Sequence, residues 1–333
     1  MTDDNKSASG EDSLISRYFK PLATDPGAFG LGDDAAVLNA SGGDIVVTTD
    51  AIVEGVHFLS GDPPESVARK ALRVNLSDLA AKGATAAGFV LTLALRAADE
   101  AWLTPFARGL GEDAGLFGCP LLGGDTVSTP GPLMISITAF GRVPAGRMVH
   151  RSGAKPGDRV VVTGTIGDAM LGLDILMGGA VAAVLADNAA AGEMLVGRYR
   201  VPQPRNALVA AVRAHASAAM DVSDGLAGDL AKLCAASGVS AVIDAPSIPL
   251  SVPAAALLAR GTIGIEALVS GGDDYEILCA IPENRFDAFA AAAREAGVAA
   301  TSIGTVIAGS SVPKFLDAQG SEVPLSRLSY SHF

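Results

Sequence analysis

The chain has 333 residues, 49% of them hydrophobic, which suits about two domains with cores of their own. Its formal net charge of −12 excludes the basic surface a nucleic-acid binder needs, so a phosphate ligand would have to be held through intervening cations. The three cysteines, Cys119, Cys234 and Cys279, lack metal-site spacing and read as small buried residues of a reducing, cytoplasmic compartment.

Residues 1–12 are polar and acidic without an apolar run, which predicts a disordered tail rather than a signal sequence. A short helix is expected over about Leu14 to Phe19, followed by the glycine-rich FGLGDDAAVLN. Gly30-x-Gly32-x-x-Ala35 has the form of a dinucleotide fingerprint. KPLATDPGAF before it is no strand, however, and Asp33 and Asp34 stand where a pyrophosphate needs backbone N–H groups. The two carboxylates instead suit a hard cation, or an ordinary turn, ahead of a strand over Ala35 to Leu38.

In IVVTTDAIVEGVHF (45–58) three apolar residues run into Thr48, Thr49 and Asp50, and a loop then delivers Glu54 and His57. This predicts a short buried strand ending in an acidic site, although an Asp that starts a turn has the same pattern. Pro64 to Gly83 reads as a helix with Lys82 in its last turn. Val67, Ala71, Val74, Asp78 and Ala81 share one face, so Asp78 needs a metal, a positive partner or hydrogen-bond donors. A strand at 88–95 and a helix from about Asp99 to Leu116 follow. The strand Pro120 to Leu122 is then expected to end in GGDT, where Gly123 and Gly124 would admit a ligand, or turn a hairpin, beside Asp125.

After a strand at 133–143, the loop 144–158 gathers Arg147, His150, Arg151 and Lys155, either as solvated charges or as a phosphate clamp. A boundary near Pro144 divides an N-terminal domain, 13–143, from a C-terminal domain, 144–333. The second part reads as strand and helix over RVVVTGTIGDAMLGLDIL, an Ala-rich helical region to Arg200, and a helix in PQPRNALVAAVRAHA. The strand Ala218 to Val222 enters a helix starting near Asp224 that Ser223 or Asp224 can cap, which leaves Asp221 without a structural purpose. Gly271, Gly272, Asp273, Asp274 and Glu276 make a further acidic turn before a strand. A helix over about Pro282 to Ala296 and strands at Thr301–Val306 and Lys314–Leu316 complete the chain.

No apolar run is long enough to span a bilayer: 86–95 is too short and 169–186 contains Asp174. No phosphate-binding P-loop, protein-kinase triplet, serine elbow or zinc-protease motif occurs. Acidic termini in both halves, if they converge, would hold several Mg²⁺ ions and through them a polyphosphate. Phosphoryl transfer then needs no covalent nucleophile.

Seven ordered segments carry a resemblance: GLGDDAAV (30–37), TTDAIVEGVHF (48–58), KALRVNLSDLAAKGA (70–84), LLGGDT (121–126), RSGAKPGD (151–158), MDVSDGL (220–226) and SGGDDYE (270–276). Together they resemble the thiamine-monophosphate kinase family, part of a superfamily with aminoimidazole-ribonucleotide and selenophosphate synthetases. The resemblance implies an α+β fold of two α/β-type domains, the N-terminal mixed sheet pairing in a homodimer into a barrel-like interface and the C-terminal domain an α/β sandwich. It implies ATP-dependent conversion of thiamine monophosphate to thiamine diphosphate. Matched position by position, Asp34, Thr48, Thr49, Asp50, Asp78, Asp125, Asp221 and Asp224 would bind Mg²⁺. Gly124, Asp125, Arg151 and Ser223 would hold ATP; His57, Asp273, where the family often has Glu, and Tyr330 would hold the substrate. A selenophosphate synthetase would need a reactive Cys ahead of Cys119, and a hydrogenase-maturation relative would end in Cys rather than His332-Phe333. A catalytically silent nucleotide- or cation-binding protein is the reading from another class.

Overall fold

The structure, a computed structural model, describes residues 14–26, 28 and 42–329. The tail 1–12, Asp33, Asp34, the strand expected over Ala35–Leu38 and Tyr330 lie outside the described residues. Contacts divide the chain into two compact units, one comprising the chain up to Asn75 with Ala86–Arg142, the other Leu76–Thr85 with the chain from Val143 onward.

Among the described residues the first unit holds a four-stranded sheet of β1 (Gly43–Val53), β2 (Thr85–Leu95), β3 (Leu121–Ser128) and β4 (Met134–Pro144), in the order β1-β4-β2-β3 with β2 and β3 parallel. Its helices are α1 (Pro64–Ala81), whose last turns belong to the second unit, and α2 (Glu100–Phe117). The Asp99 side chain starts α2 by accepting the Ala101 N–H at 2.9 Å, and Gly118, at φ 61°, ends it in the left-handed conformation glycine adopts without strain. The helices are joined by a buried ion pair: Asp113, fully buried, accepts from Arg73 Nη2 at 2.9 Å and from Arg69 Nη1 at 2.6 Å.

Two strands are longer than the sequence suggests. β1 continues through Thr48, Thr49 and Asp50 to Val53, so Asp50 lies within a strand rather than at its end. Among the described residues it stands at the edge of the sheet and is buried on one face only: Val46 and Ile52 face the interior while Val47 is 57% exposed, the period-2 alternation of a one-sided sheet. β3 likewise runs through GGDT, with Gly123, Gly124, Asp125 and Thr126 paired to Val90, Leu91, Thr92 and Leu93. A Cβ at Gly124 would sit 1.9 Å from the Leu91 carbonyl oxygen, so pairing with the neighbouring strand by itself requires a glycine there, while Gly123 has nothing within 4 Å of that position.

The second unit is a six-stranded mixed sheet of β5 (Arg159–Thr163), β6 (Ala218–Asp221), β7 (Val239–Asp244), β8 (Ile277–Ile281), β9 (Ala300–Ala308) and β10 (Lys314–Leu316). The order is β10-β7-β9-β5-β8-β6, with β10 parallel to β7 and the remaining neighbours antiparallel. Its helices are α3 (Asp168–Leu176), α4 (Ala180–Val184), α5 (Ala189–Arg200), α6 (Val209–His215), α7 (Leu226–Ser237), α8 (Val252–Ala259), α9 (Ile265–Ser270) and α10 (Phe286–Glu295). Alternation assigns the faces. Val160, Val162, Met220, Leu278 and Ala280 pack with Leu226, Leu230 and Leu233 of α7. Val161, Ala219, Ile277, Cys279 and Ile281 pack with α6, α10 and the α1 residues Ala80 and Ala81. The sheet is therefore covered on both sides, which explains its near-continuous apolar strands. No helix among the described residues is long and apolar enough to cross a membrane.

Candidate active site

In the first unit the predicted ligands sit on β1 and β3, which stand at opposite ends of the strand order with β4 and β2 between them. Thr49 Oγ1 donates to the Ile137 carbonyl at 3.2 Å and lies 3.0 Å from Thr138 Oγ1, while the Asp50 N–H donates to Asn75 Oδ1 at 3.1 Å. These bonds occupy backbone and hydroxyl groups and fix the strand on which the exposed Asp50 carboxylate stands. Thr48 is half-buried beside it. Asp125 is exposed on β3, in register with Thr92.

His57 closes a tight loop after β1. Its Nδ1 accepts the Val53 N–H at 3.1 Å and its carbonyl accepts Lys70 Nζ at 2.8 Å. An accepting Nδ1 in a neutral ring places the proton on Nε2, which makes that edge a donor. Nearby, Arg96 Nη2 donates to Glu54 at 3.0 Å and holds its carboxyl below the usual carboxylate range. Glu54, Phe58, Leu95, Arg96, Trp102 and Leu133 line a cavity of about 210 Å³ here.

In the second unit the end of α1 meets β6. Lys82 Nζ donates to the Ala219 carbonyl at 2.7 Å. The Val149 N–H donates to the Lys82 carbonyl, and the Ala219 N–H to the His150 carbonyl, each at 3.0 Å. Burial pushes the Lys82 ammonium pKa down, opposed by the charges of Asp221 and Asp78 and reinforced by Arg151. Four charges thus gather where the sequence showed one candidate carboxylate on a helix and another at a strand end.

The turn after β6 is held differently from expectation. Neither Ser223 nor Asp224 caps α7: Gly225, at φ 112°, precedes it with no side-chain cap. Asp229, from the first turn of α7, reaches back and accepts the N–H groups of both Ser223 and Asp224 at 3.0 Å. A Cβ at Gly225 would lie 2.8 Å from the Gly271 carbonyl oxygen, so only glycine makes the turn, and that turn carries residues 223 and 224 out of capping position. Lys232 Nζ ties Asp224 at 2.6 Å and Asp229 at 2.8 Å. Burial raises the Asp229 pKa, with Lys232 opposing.

The 273–276 turn sorts its acids. Asp274, buried, accepts the Gly167 N–H with both carboxylate oxygens, at 2.9 and 3.0 Å. Glu276, fully buried, is clamped by Arg198 at 2.7 Å, Arg205 Nε at 2.6 Å and the Thr163 hydroxyl at 2.7 Å. Both are thus engaged inside the unit. Asp273 is half-buried at φ 69° and its N–H donates to the Ser223 carbonyl at 2.8 Å, binding this turn to the β6 turn. Among the described residues, no group of three His, Cys, Asp or Glu side chains forms a ready-made metal cage.

The sequence matches the AIR synthase related protein N-terminal domain over residues 32–143 and the corresponding C-terminal domain over 155–314. A thiamine-monophosphate kinase of Caulobacter vibrioides is 47% identical over 324 residues, covering 96% of this chain and 89% of its own. The chain belongs to the thiamine-monophosphate kinase family. A crystal structure of such a kinase from Stenotrophomonas maltophilia superimposes with a TM-score of 0.80 at 35% identity, over 94% of this chain and 96% of the other. AaThiL complexed with AMPPCP and TMP does so with a TM-score of 0.75 at 30% identity, over 92% and 97%.

Within this thiamine-monophosphate kinase fold, the β6 turn and the 273–276 turn bring Asp221, Ser223, Asp224 and Asp273 into one connected loop pair. The end of α1 carries Asp78, whose charge, like those of Asp221 and Arg151, acts on Lys82. Thr48, Thr49, Asp50 and His57 are grouped on and after β1. Sequence reasoning missed Lys82 as part of the charge cluster and Asp229 as the carboxylate that holds the β6 turn. The signals available were i, i+4 spacing from Asp78 to Lys82 and an acid three residues into α7.

Proposed function

We propose that this chain phosphorylates thiamine monophosphate to thiamine diphosphate with ATP, by a single in-line displacement at the γ-phosphorus. The observation that carries the reading is the likeness, over 92% of the chain, to the AaThiL complex with AMPPCP and TMP, an ATP analogue beside a phosphorylated acceptor. The acceptor brings its own phosphate oxygen as attacking group, so the protein has only to position and neutralise. The thiols support this division of labour. Burial pushes Cys119 and Cys279 up to about 12 and Cys234 up to about 11, far from the thiolate a nucleophile needs.

The donor set is all oxygen: Asp50, Asp78, Asp125, Asp221 and Asp224 with the hydroxyls of Thr48 and Thr49, and Asp34 by family position. That chemistry fits Mg²⁺. Mg²⁺ is usually held by one or two carboxylates together with substrate phosphates. When bound, Mg²⁺ supplies charge neutralisation for the phosphate oxygens. Arg151 presents a planar fork to the nucleotide phosphates, with Gly124, Asp125 and Ser223 beside the nucleotide. His57, through its Nε2–H, with Asp273 and Tyr330, receives thiamine monophosphate.

The exposed Val47 and Val127, on strands of the N-terminal sheet, support a homodimer through that sheet. Unpaired Cys119, Cys234 and Cys279 favour a reducing compartment, the cytoplasm. A coupled assay with ATP and thiamine monophosphate tests the activity; nucleotide binding without turnover would leave a silent binding protein in its place. ATP chiral at the γ-phosphate tests the path. Inversion is expected, and retention would require a phosphoenzyme.

A further inference from the structure

Lys82 stands apart from the residues given a role so far. It lies one helical turn beyond Asp78, so their side chains share a side of the chain at the end of α1. On β6, Ala219 and Asp221 are two residues apart and share a face, the face on which Ala219 and Ile277 pack with Ala80 and Ala81 of α1. The helix end and the strand end therefore meet with both carboxylates on the meeting side. Lys82 Nζ bonds the Ala219 carbonyl, and the Lys82 carbonyl and the Ala219 N–H are bonded in turn by Val149 and His150. Those three hydrogen bonds close a circuit through α1, β6 and the segment that leads straight into Arg151.

The circuit explains why an ammonium is kept in a half-buried place. A buried cation is costly unless it is paired, and here Asp221 and Asp78 supply the opposite charge. It also has a consequence for the nucleotide. Two carboxylates close together repel each other, and Arg151 is carried by a segment that the Lys82 carbonyl helps to anchor.

We propose, on the strength of the roles given above to Asp78 and Asp221, that Lys82 is a positioning residue for the Mg²⁺-nucleotide: its ammonium ties β6 to the end of α1 and sets its charge against those of the two carboxylates, which are thereby held ready to receive it. His57, assigned to thiamine monophosphate, belongs to the other unit, so binding of the acceptor is expected to depend on Lys82 less than binding of the nucleotide does.

Isothermal titration of the full-length protein with AMPPCP in the presence of Mg²⁺ tests this, with thermal unfolding as the control for folding. The Kd for AMPPCP is expected to rise about tenfold in K82M, the loss of one charge-assisted contact, and to return most of the way in K82R. The Kd for thiamine monophosphate should stay within about twofold of the unaltered protein in both. Should K82M not fold, K82Q carries the same expectation, because its amide can still donate to the Ala219 carbonyl while lacking the charge. A folded K82M or K82Q that binds AMPPCP as the unaltered protein does would overturn the proposal. So would an equal weakening for both ligands, which marks a merely structural lysine. Failure of the unaltered protein to bind AMPPCP at all would instead remove the kinase reading itself.

Discussion

A side chain on Gly124 would drive its Cβ to 1.9 Å from the carbonyl oxygen of Leu91, whereas Gly123, one residue earlier, has nothing within 4 Å of the same position. The two glycines of GGDT thus have different reasons to be there. Gly124 is demanded by the parallel pairing of β2 with β3, and Gly123 is not. Gly124→Ala is expected to destabilise the protein by about 3 kcal/mol or more, the cost of forcing two backbones apart, while Gly123→Ala should be close to neutral. Urea unfolding of the two variants reads the difference. Full stability in Gly124→Ala with lost activity would show that a ligand, not the sheet, requires that glycine.

The ion pair between Asp113 and its two arginines predicts a second large effect. Asp113→Asn keeps the shape but leaves Arg69 and Arg73 without their shared counter-charge, 0% exposed in the folded state. Removing one partner of a buried pair costs about 3 to 5 kcal/mol, so the urea midpoint should fall sharply. A change below about 1 kcal/mol would place these charges in effective contact with water.

Asp50→Asn and Asp78→Asn separate chemistry from folding. The hydrogen bond that fixes Asp50 uses its backbone N–H, which the substitution leaves in place. Asp50→Asn should therefore unfold near the temperature of the unaltered protein and Asp78→Asn somewhat below it, since it removes one of the charges that offset Lys82, while both lose about 10²-fold or more in kcat. Near-normal turnover at low Mg²⁺ in either would remove it from the metal-binding set.

His57→Ala is expected to raise the KM for thiamine monophosphate more than the KM for ATP, because the Nε2–H edge is assigned to the acceptor. The ring's other nitrogen also holds the β1 loop through Val53, so some loss of stability accompanies the change. Equal rises in both KM values would assign His57 to the loop alone.

Asp274 makes stability depend on pH in a direction opposite to that of a salt-bridged acid. Burial holds its carboxyl pKa well above the ordinary 3.8 in the folded protein. Below that ordinary value both states are protonated and the group is neutral to folding. As pH rises through it the unfolded chain ionises first, so stability falls until the raised folded pKa is passed. Asp274→Asn keeps an acceptor for the Gly167 N–H but cannot ionise. Its unfolding free energy is expected to decline less than that of the unaltered protein between pH 4 and neutrality, measured by urea unfolding across that range. A steeper decline would mean that the carboxylate is ionised and favourable in the fold.

Much of this protein was legible in the amino-acid order. Periodicity located α1 and α2, the central strands of both sheets and β10, because helix and strand periods are local properties of neighbouring residues. The acidic segments named the family, since seven motifs in order are more specific than any fold pattern. Contacts between residues far apart in the chain decided the rest. β1 and β3 continue through their acidic stretches because a neighbouring strand pairs with them there, and no local signal at Asp50 or Gly124 announces that neighbour. Of the acids around 273–276, Asp274 and Glu276 became internal anchors because Gly167, Arg198 and Arg205 lie opposite them, some 70 to 110 residues away. β7, α8 and α9, within 239–270, left too short an apolar pattern to stand out; packing on the finished sheet and against α3 and α5 gives them their form. Lys82 shows the division most plainly: the sequence marks it as a charge at a helix end four residues from Asp78, and only the fold, by laying β6 against that end, adds the Ala219 carbonyl and the charge of Asp221.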